Sequence, residues 1–204
     1  MKLEGYRVVL ASKSPRRKEL LQKITEEFEI LPAVGEEETK ETAPDKVVEE
    51  LAYQKAKEVF EKLIKASEQE NKNLFIIGSD TIVSVDGKIL GKPKTEEEAF
   101  EMLSSLSGRT HEVYTGVSLF RETASKTAEI LTFSEKTEVH FYEMTEEEIR
   151  GYIATKDPMD KAGAYGIQGP CGKFIQGISG DYASVMGFPV ARCYQEIKNW
   201  RQTL

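Results

Sequence analysis

The order of apolar strands and amphipathic helices along the chain most constrains its fold. An apolar segment over residues 6–10 predicts a buried strand, and a helical pattern follows it after a short turn. A long amphipathic helix is predicted over 47–66, and the polar segment 67–73 ends it. Residues 73–80 then form a second buried strand. This alternation predicts an α/β fold, and the length of 204 residues predicts one compact domain.

Turn and capping residues define the elements that follow. Asp86-Gly87 suits a type I′ turn between two short apolar segments, which predicts a hairpin. Thr95 with Glu98 matches a capping box, and therefore a helix is expected to start there. The remaining predicted elements are strands over 111–121 and 128–142, a helix capped by Thr145 with Glu148, and a last helix opened by Pro189.

Composition and charge limit the classes of partner and the compartment expected for the chain. With 28 basic against 35 acidic residues the net charge is −7, which argues against a nucleic-acid partner but allows a small anionic ligand. No stretch of about 18 apolar residues predicts a membrane span, and the N-terminal residues lack the apolar core of a signal peptide. Cys171 and Cys193 have neither zinc-site nor CxxC spacing, so we expect two reduced thiols. These features predict a cytoplasmic protein that binds neither nucleic acid nor membrane.

Two arginines occupy an unusual place at the start of the first helix. Ser14 is a suitable N-cap and Pro15 a suitable first helical residue, so Arg16 and Arg17 lie in the first turn. The helix dipole disfavours cations there by roughly 0.3–1 kcal/mol each. They are either solvated surface charges or the cationic part of a phosphate site, where helix amides and guanidinium groups bind the same anion. The pattern favours the phosphate site.

Two lysines are candidates to join the arginines at such a site. Lys55 lies on the apolar face of the long helix, at helical spacing from Val48, Ala52 and Val59. The alternative is that its ammonium extends along the apolar surface to solvent. Lys92 follows the hairpin in a loop, and its context indicates no more than a loop.

Carboxylates are candidates for the metal-binding or proton-accepting groups of a site that acts on phosphates. Asp80 ends the apolar segment "LFIIGSD" and is expected at the carboxyl end of a strand, where open α/β sheets bind ligands. A carboxylate there can hold a divalent metal or take a proton from water, or it can simply cap a turn. The acidic run Glu36, Glu37 and Glu38 is either part of a metal site or a solvated surface. Magnesium needs one or two carboxylates, with waters and substrate phosphates.

Five segments together resemble the Maf nucleotide pyrophosphatases. They are "ASKSPRRKELL", "SDTIV", "GKPKTEEEA", "LSGRTHEVYTGV" and "KAGAYGIQG", which follow the family's order and cover most of the chain. The resemblance implies a single Maf-like domain over residues 1–204. Its fold would be an elongated mixed α/β sheet with flanking helices and two lobes around a cleft, related to the inosine triphosphatases. It also implies a divalent cation, Mg²⁺ with Mn²⁺ as the alternative, and often a homodimer.

The resemblance also assigns roles by position. Asp80 becomes the proton acceptor that activates water, or a metal ligand, and the sequence does not separate these roles. Glu38 matches the acidic metal position, with Glu36 and Glu37 as alternatives one or two residues away. The implied substrate contacts are Ser12, Arg16, Arg17, Lys55 and Lys92, together with Thr81 and Gln168, which match the subgroup acting on dTTP and UTP.

The expected function is therefore hydrolysis of dTTP and UTP to the monophosphate and pyrophosphate, a role in nucleotide-pool house-cleaning. One alternative is a pyrophosphatase of a modified nucleotide such as 7-methyl-GTP, which Gln168 disfavours. The other is a regulator of cell division that senses nucleotides without turnover. The combination of Arg16, Arg17, Lys55, Asp80 and Lys92 argues against an inactive pocket.

Overall fold

The computed structural model describes residue 3, residues 5–65 and residues 73–202. The strands are β1 (Tyr6–Leu10), β2 (Glu29–Ile30), β3 (Asn73–Val85), β4 (Lys88–Leu90), β5 (Thr110–Glu122), β6 (Ala128–Phe141) and β7 (Ile175–Ser179). The α-helices are α1 (Pro15–Gln22), α2 (Pro44–Ile64), α3 (Glu96–Leu106), α4 (Glu146–Ala154), α5 (Tyr182–Val185) and α6 (Val190–Gln202). Three short 3₁₀ helices cover Asp157–Asp160, Ala162–Ala164 and Pro170–Phe174.

The strands form one mixed sheet, as the α/β prediction requires. In the described residues its order is β2-β1-β3-β5-β6-β7, with β4 paired to β3. Strand β1 is parallel to both β2 and β3, whereas the β3–β4 and β6–β7 pairs are antiparallel. No helix in the described ranges is long and apolar enough to span a bilayer.

The chain divides into two compact units, which we call unit 1 and unit 2. Unit 1 comprises residues 1–80, 115–134 and 187–204, and unit 2 comprises residues 81–114 and 135–186. In unit 1, apolar residues of α2 pack against β1 and β3. In unit 2, helices α3 and α4 share a core with buried residues such as Val83, Val113 and Val139 of strands β3, β5 and β6. The single domain expected over residues 1–204 stays a prediction.

Helix α2 approaches the sheet very closely at two glycines. A Cβ added to Gly78 of β3 would lie 2.2 Å from the carbonyl oxygen of Ala52, and one added to Gly116 of β5 would lie 2.2 Å from that of Val48. Only a glycine leaves room for backbone to meet backbone at this distance. These contacts set the distance between α2 and the sheet. They therefore also set how close to the sheet Lys55 lies, one helical turn after Ala52.

Local turn chemistry matches the sequence expectations in most places. Asp86 and Gly87 both have positive φ, 51° and 74°, as a type I′ turn requires. The Thr145 capping box is complete. At α3 the Thr95 side chain accepts the Glu98 N–H as predicted, but the Glu98 carboxylate accepts the N–H of Lys94 rather than that of Thr95. The predicted capping box at Thr95 was therefore wrong in its return bond from Glu98.

Two predicted boundaries differ from the structure. Helix α2 ends at Ile64, and the polar segment expected to end it lies, apart from Asn73, outside the described residues. Strand β3 continues through Asp80 to Val85, so the placement of Asp80 at a strand end was wrong. The strand continues because residues 83–85 pair with β4, and the β-branched residues after Asp80 favour the extended conformation. Pairing of β3 with the parallel strand β1 does stop at Ile77, three residues before Asp80.

Candidate active site

Arg17 is held by the protein and is not a solvated surface charge. Ser14 caps α1 by accepting the Arg17 N–H at 3.4 Å. The Arg17 side chain turns back, and its Nε donates to the carbonyl oxygen of Gly187 at 2.9 Å. Its Nη1 donates to Oγ of the buried Ser12 at 3.3 Å. Arg16, on the same turn, is partly exposed.

The electrostatic surroundings of Arg17 combine burial with opposing charges. Burial lowers the pKa of the guanidinium, and the nearby carboxylate of Asp80 opposes this effect. Arg16 lowers the pKa further, and Glu37 raises it. A desolvated cation beside a second cation gains from any anion that binds between them. The start of α1 is therefore suited to a phosphate group.

Lys55 lies between two carboxylates of unit 1. Its Nζ is 2.5 Å from Oδ1 of Asp80 and 3.0 Å from Oε2 of Glu37. The side chains of Lys55 and Asp80 are each 12% exposed, whereas that of Glu37 is 49% exposed. Lys55 therefore does not extend to solvent as the alternative interpretation allowed. The structure brings it together with Asp80, whose charge acts on Arg17 in the first turn of α1.

Ser79 is a site residue that the sequence analysis missed. Its side chain is fully buried in β3, and its Oγ donates to the carbonyl oxygen of Gly187 at 3.0 Å. This is the same carbonyl that accepts from Arg17. Gly187 has φ 111°, a conformation that favours glycine. The only sequence signal for Ser79 is a polar residue in an apolar strand, directly before Asp80.

The acidic run contributes through different atoms of its members. The Glu37 carboxylate contacts Lys55, whereas Glu38 uses its backbone carbonyl to accept from Nε2 of Gln54 at 2.6 Å. Among the described residues, no group of three or more His, Cys, Asp or Glu side chains is arranged to hold a metal ion. Asp80 and Glu37 form a pair of carboxylates, which is the number that magnesium uses when substrate phosphates complete its coordination.

The other predicted contacts belong to unit 2. Thr81 follows Asp80 in β3 and is partly exposed. Lys92 lies exposed in the loop after β4. Gln168 is exposed in a turn that is closed by the Gly169 N–H, which donates to the carbonyl oxygen of Gly166 at 3.1 Å. For these three residues the role in substrate binding rests on the resemblance alone.

Comparison with known proteins identifies the family of the chain. The description "Maf-like protein" applies to a family whose profile matches residues 7–200. The chain belongs to the Maf family. Three Maf relatives carry the name dTTP/UTP pyrophosphatase. That of Agathobacter rectalis is 52% identical over 197 residues, covering 94% of this chain and 96% of the relative. Those of Carboxydothermus hydrogenoformans and Bacillus cereus are each 49% identical, covering 95% of this chain and 98% and 95% of the relatives.

A solved structure outside the close Maf relatives is also similar. It is a nucleoside-triphosphatase, or dITP/XTP pyrophosphatase, from Mycobacterium abscessus, at 12% identity and a TM-score of 0.41. The match covers 68% of this chain and 75% of the other. A similarity at this level gives no information about activity.

The cysteines of this Maf protein are unsuited to act as nucleophiles. Cys171 and Cys193 are both free and fully buried. Burial raises the pKa of the Cys171 thiol to about 12, and it also raises the pKa of Cys193. Since the thiolate is the reactive form, neither side chain supplies one near neutral pH.

Proposed function

We propose that this Maf protein hydrolyses dTTP and UTP to the monophosphate and pyrophosphate, by attack of water on the α-phosphorus. The observation that carries the proposal is the contact of Lys55 with Asp80, 2.5 Å apart, whose charge acts on the partly buried Arg17. Relatives named dTTP/UTP pyrophosphatase at about half identity over nearly the whole chain support the substrate class.

The cations of unit 1 bind the phosphates. Arg17 is oriented by Gly187 and Ser12, and its guanidinium is suited to charge-assisted bonds with phosphate oxygens. Arg16 lies on the same helical turn, and the positive end of the α1 helix dipole adds to the attraction for an anion. Lys55 has three N–H groups. Two face carboxylates, and the third can donate to a phosphate oxygen.

Asp80 takes the proton of the attacking water or shares in holding a divalent cation. Mg²⁺, or Mn²⁺ in its place, would be held by Asp80 and one glutamate of the acidic run, with waters and substrate phosphates. The contact between Glu37 and Lys55 favours Glu37 over the neighbouring Glu38 for this role. When bound, the cation neutralises charge that develops on the leaving pyrophosphate.

Gln168 selects the base. A glutamine amide carries one acceptor and a two-donor amine, and these match the carbonyl and N–H on one edge of uracil or thymine. Thr81 and Lys92 are the further contacts that we assign to the same nucleotide. A site that bonds its ligand in this way rejects a base that leaves its polar groups unpaired.

The experiment is a substrate panel with purified protein, Mg²⁺ and H₂¹⁸O. The panel contains dTTP, UTP, CTP, GTP, ATP and 7-methyl-GTP, and each reaction is followed by release of pyrophosphate and by mass spectrometry. We expect the highest kcat/KM with dTTP and UTP, and ¹⁸O in the monophosphate. Label in pyrophosphate, release of orthophosphate, or a preference for 7-methyl-GTP would contradict the proposal. Tight binding of nucleotides without turnover would support the regulator instead.

Two further properties stay predictions that simple measurements check. Chelation by EDTA should abolish turnover, and Mg²⁺ should restore it, if the reaction needs the divalent cation. Light scattering of the purified chain should give the mass of a homodimer. A monomer with full activity would show that a second copy is not needed for the reaction.

A further inference from the structure

The turn that carries Gln168 rests on a set of polar side chains with no role assigned so far. Its first and last residues are Gly166 and Gly169, joined by the hydrogen bond that closes the turn. Gln168 is exposed at the tip of this turn. The position of its amide therefore depends on what supports the two ends.

Tyr152 of helix α4 supports the first end. Its hydroxyl accepts the N–H of Gly166 at 3.3 Å and donates to Oδ2 of Asp157 at 2.6 Å. The Tyr152 ring is only 3% exposed. Burial, together with the hydrogen bond to Asp157, raises the pKa of this phenol. It therefore stays protonated and remains a donor to Asp157 throughout the pH range of an assay.

Lys161 holds the other oxygen of Asp157. Its Nζ donates to Oδ1 of Asp157 at 3.0 Å, to the Asp157 carbonyl oxygen at 2.5 Å and to Oδ1 of Asp160 at 2.7 Å. The Lys161 side chain is 12% exposed. Three acceptors thus match the three donors of the ammonium, and both partners of the ion pair are held in one arrangement.

Both ends of the turn pack directly on this ion pair. A Cβ on Gly166 would lie 2.7 Å from Cε of Lys161, and a Cβ on Gly169 would lie 2.9 Å from Oδ2 of Asp157. Neither glycine has a positive φ, so the requirement here is space and not backbone conformation. Because the two side chains are themselves fixed by hydrogen bonds, they have little freedom to move away from an added methyl group.

We infer that Tyr152, Asp157 and Lys161 form a platform that sets the position of Gln168 and thereby determines the preference for pyrimidine over purine triphosphates. The inference rests on the proposed function, because it assumes that Gln168 contacts the base. The three are positioning residues that act through the turn. The phosphate-binding cations of unit 1 do not depend on them, so their loss should change the choice of base more than the rate with a poor substrate.

The test compares kcat/KM for UTP and for GTP in the parent, Tyr152→Phe and Gln168→Ala. The phenylalanine keeps the buried ring but removes the hydroxyl that joins Gly166 to Asp157. We expect the UTP/GTP ratio to fall about tenfold in each single variant. The double variant should lose no more than Gln168→Ala alone, because both changes act on one contact. Tyr114→Phe is the matched control. Its hydroxyl donates to Glu112 at 2.9 Å, and its ratio should equal that of the parent.

Gly169→Ala provides a second route to the same question if Tyr152→Phe folds poorly. It leaves the platform intact and adds one methyl group against Asp157, and it too should lower the UTP/GTP ratio. An unchanged ratio in both variants, or an equal loss with UTP and GTP together with a lower melting temperature, would overturn the inference. If Gln168→Ala leaves the ratio unchanged while the parent hydrolyses dTTP and UTP, the inference fails and the proposed hydrolysis stands. Absence of pyrimidine triphosphate hydrolysis in the parent would remove both.

Discussion

The ammonium of Lys55 lies 2.5 Å from Oδ1 of Asp80, and both side chains are largely shielded from solvent. Each charge compensates for the burial of the other. A buried ion pair of this kind adds little net stability, but removal of one partner leaves an uncompensated charge. The pair therefore holds the Asp80 carboxylate in a largely buried position beside its cation. Variants of the two residues should separate its catalytic and structural effects.

Asp80→Asn should keep the fold and lower kcat by about 100-fold or more, the scale of lost general-base catalysis. The amide has the size of the carboxylate but takes no proton at neutral pH. Steady-state kinetics with saturating Mg²⁺ and circular dichroism measure the two effects. Asp45→Asn, in the first turn of α2, is the control and should retain parent activity. Turnover of Asp80→Asn within a few-fold of the parent would remove Asp80 from the mechanism.

Lys55→Met should lower the free energy of unfolding by about 3 kcal/mol, because Asp80 then lies buried without its cation. In the Asp80→Asn background the same change should cost clearly less. Urea denaturation of the two single variants and the double variant measures this coupling. Equal costs in both backgrounds would mean that the contact contributes nothing to stability, and that Lys55 serves the ligand alone.

Arg17→Lys should raise KM for UTP by about tenfold, since a lysine cannot make the fork of bonds that a guanidinium makes to phosphate. It also loses the Nε donor to Gly187. Arg7→Lys is the matched control in the same unit, because Arg7 pairs with Glu29 and has no assigned role in binding. A KM that rises equally in both variants would indicate a general effect of charge geometry on folding.

Gly78→Ala should destabilise the protein by about 3 kcal/mol or more, as the added methyl group meets the backbone of α2. Its nearest neighbours are the Ala52 carbonyl oxygen at 2.2 Å and the Ala56 nitrogen at 2.8 Å. Gly151→Ala in helix α4, where a Cβ meets nothing within 4 Å, should instead stabilise by about 0.5–1 kcal/mol. Thermal melting of both variants distinguishes them, and a neutral Gly78→Ala would show that α2 can move outward without cost.

The stability of the protein should fall in mild acid because of His111. Burial, with a smaller contribution from His140, lowers the pKa of His111 to about 4 from its ordinary value of 6.5. Between these values the unfolded chain takes up a proton that the folded protein refuses, so stability decreases as pH falls from 6.5 towards 4. The loss from this group is about 3 kcal/mol and stops growing below pH 4.

The measurement is urea denaturation at pH 7 and at pH 4.5 for the parent, His111→Gln and His140→Gln. Carboxyl groups also change charge in this pH range, so the informative quantity is the difference between parent and variant in the stability lost from pH 7 to pH 4.5. We expect His111→Gln to lose much less stability on acidification than the parent, and His140→Gln to behave nearly as the parent does. Identical losses in all three proteins would show that His111 does not carry the effect.

Local chemistry in the sequence was enough to predict many elements, but not the contacts made across them. Ser14 and the Asp86-Gly87 turn act through neighbours one to three residues away, so the sequence showed them directly. The partner of Arg17 is the carbonyl of Gly187, 170 positions later, and no pattern near either residue connects the two. The strand through Asp80 was predicted too short because its continuation depends on pairing with β4.

The sequence also could not show which glutamate of the acidic run contacts Lys55. Glu36, Glu37 and Glu38 are chemically identical, and the resemblance pointed to Glu38. The contact between Glu37 and Lys55 depends on where the loop passes helix α2, which is a tertiary property. Roles of adjacent identical residues are therefore open until the backbone path is known.

The glycine contacts beneath α2 also determine which amide protons can report on the protein. Where backbone meets backbone, no side chain can rotate to admit water, so the N–H groups of Ala52 and Ala56 should exchange with deuterium only when unit 1 opens as a whole. Their exchange rates would then give the opening free energy of the element that carries Lys55. Exchange recorded with and without nucleotide would measure, at two positions that never touch the ligand, how strongly the ligand resists that opening.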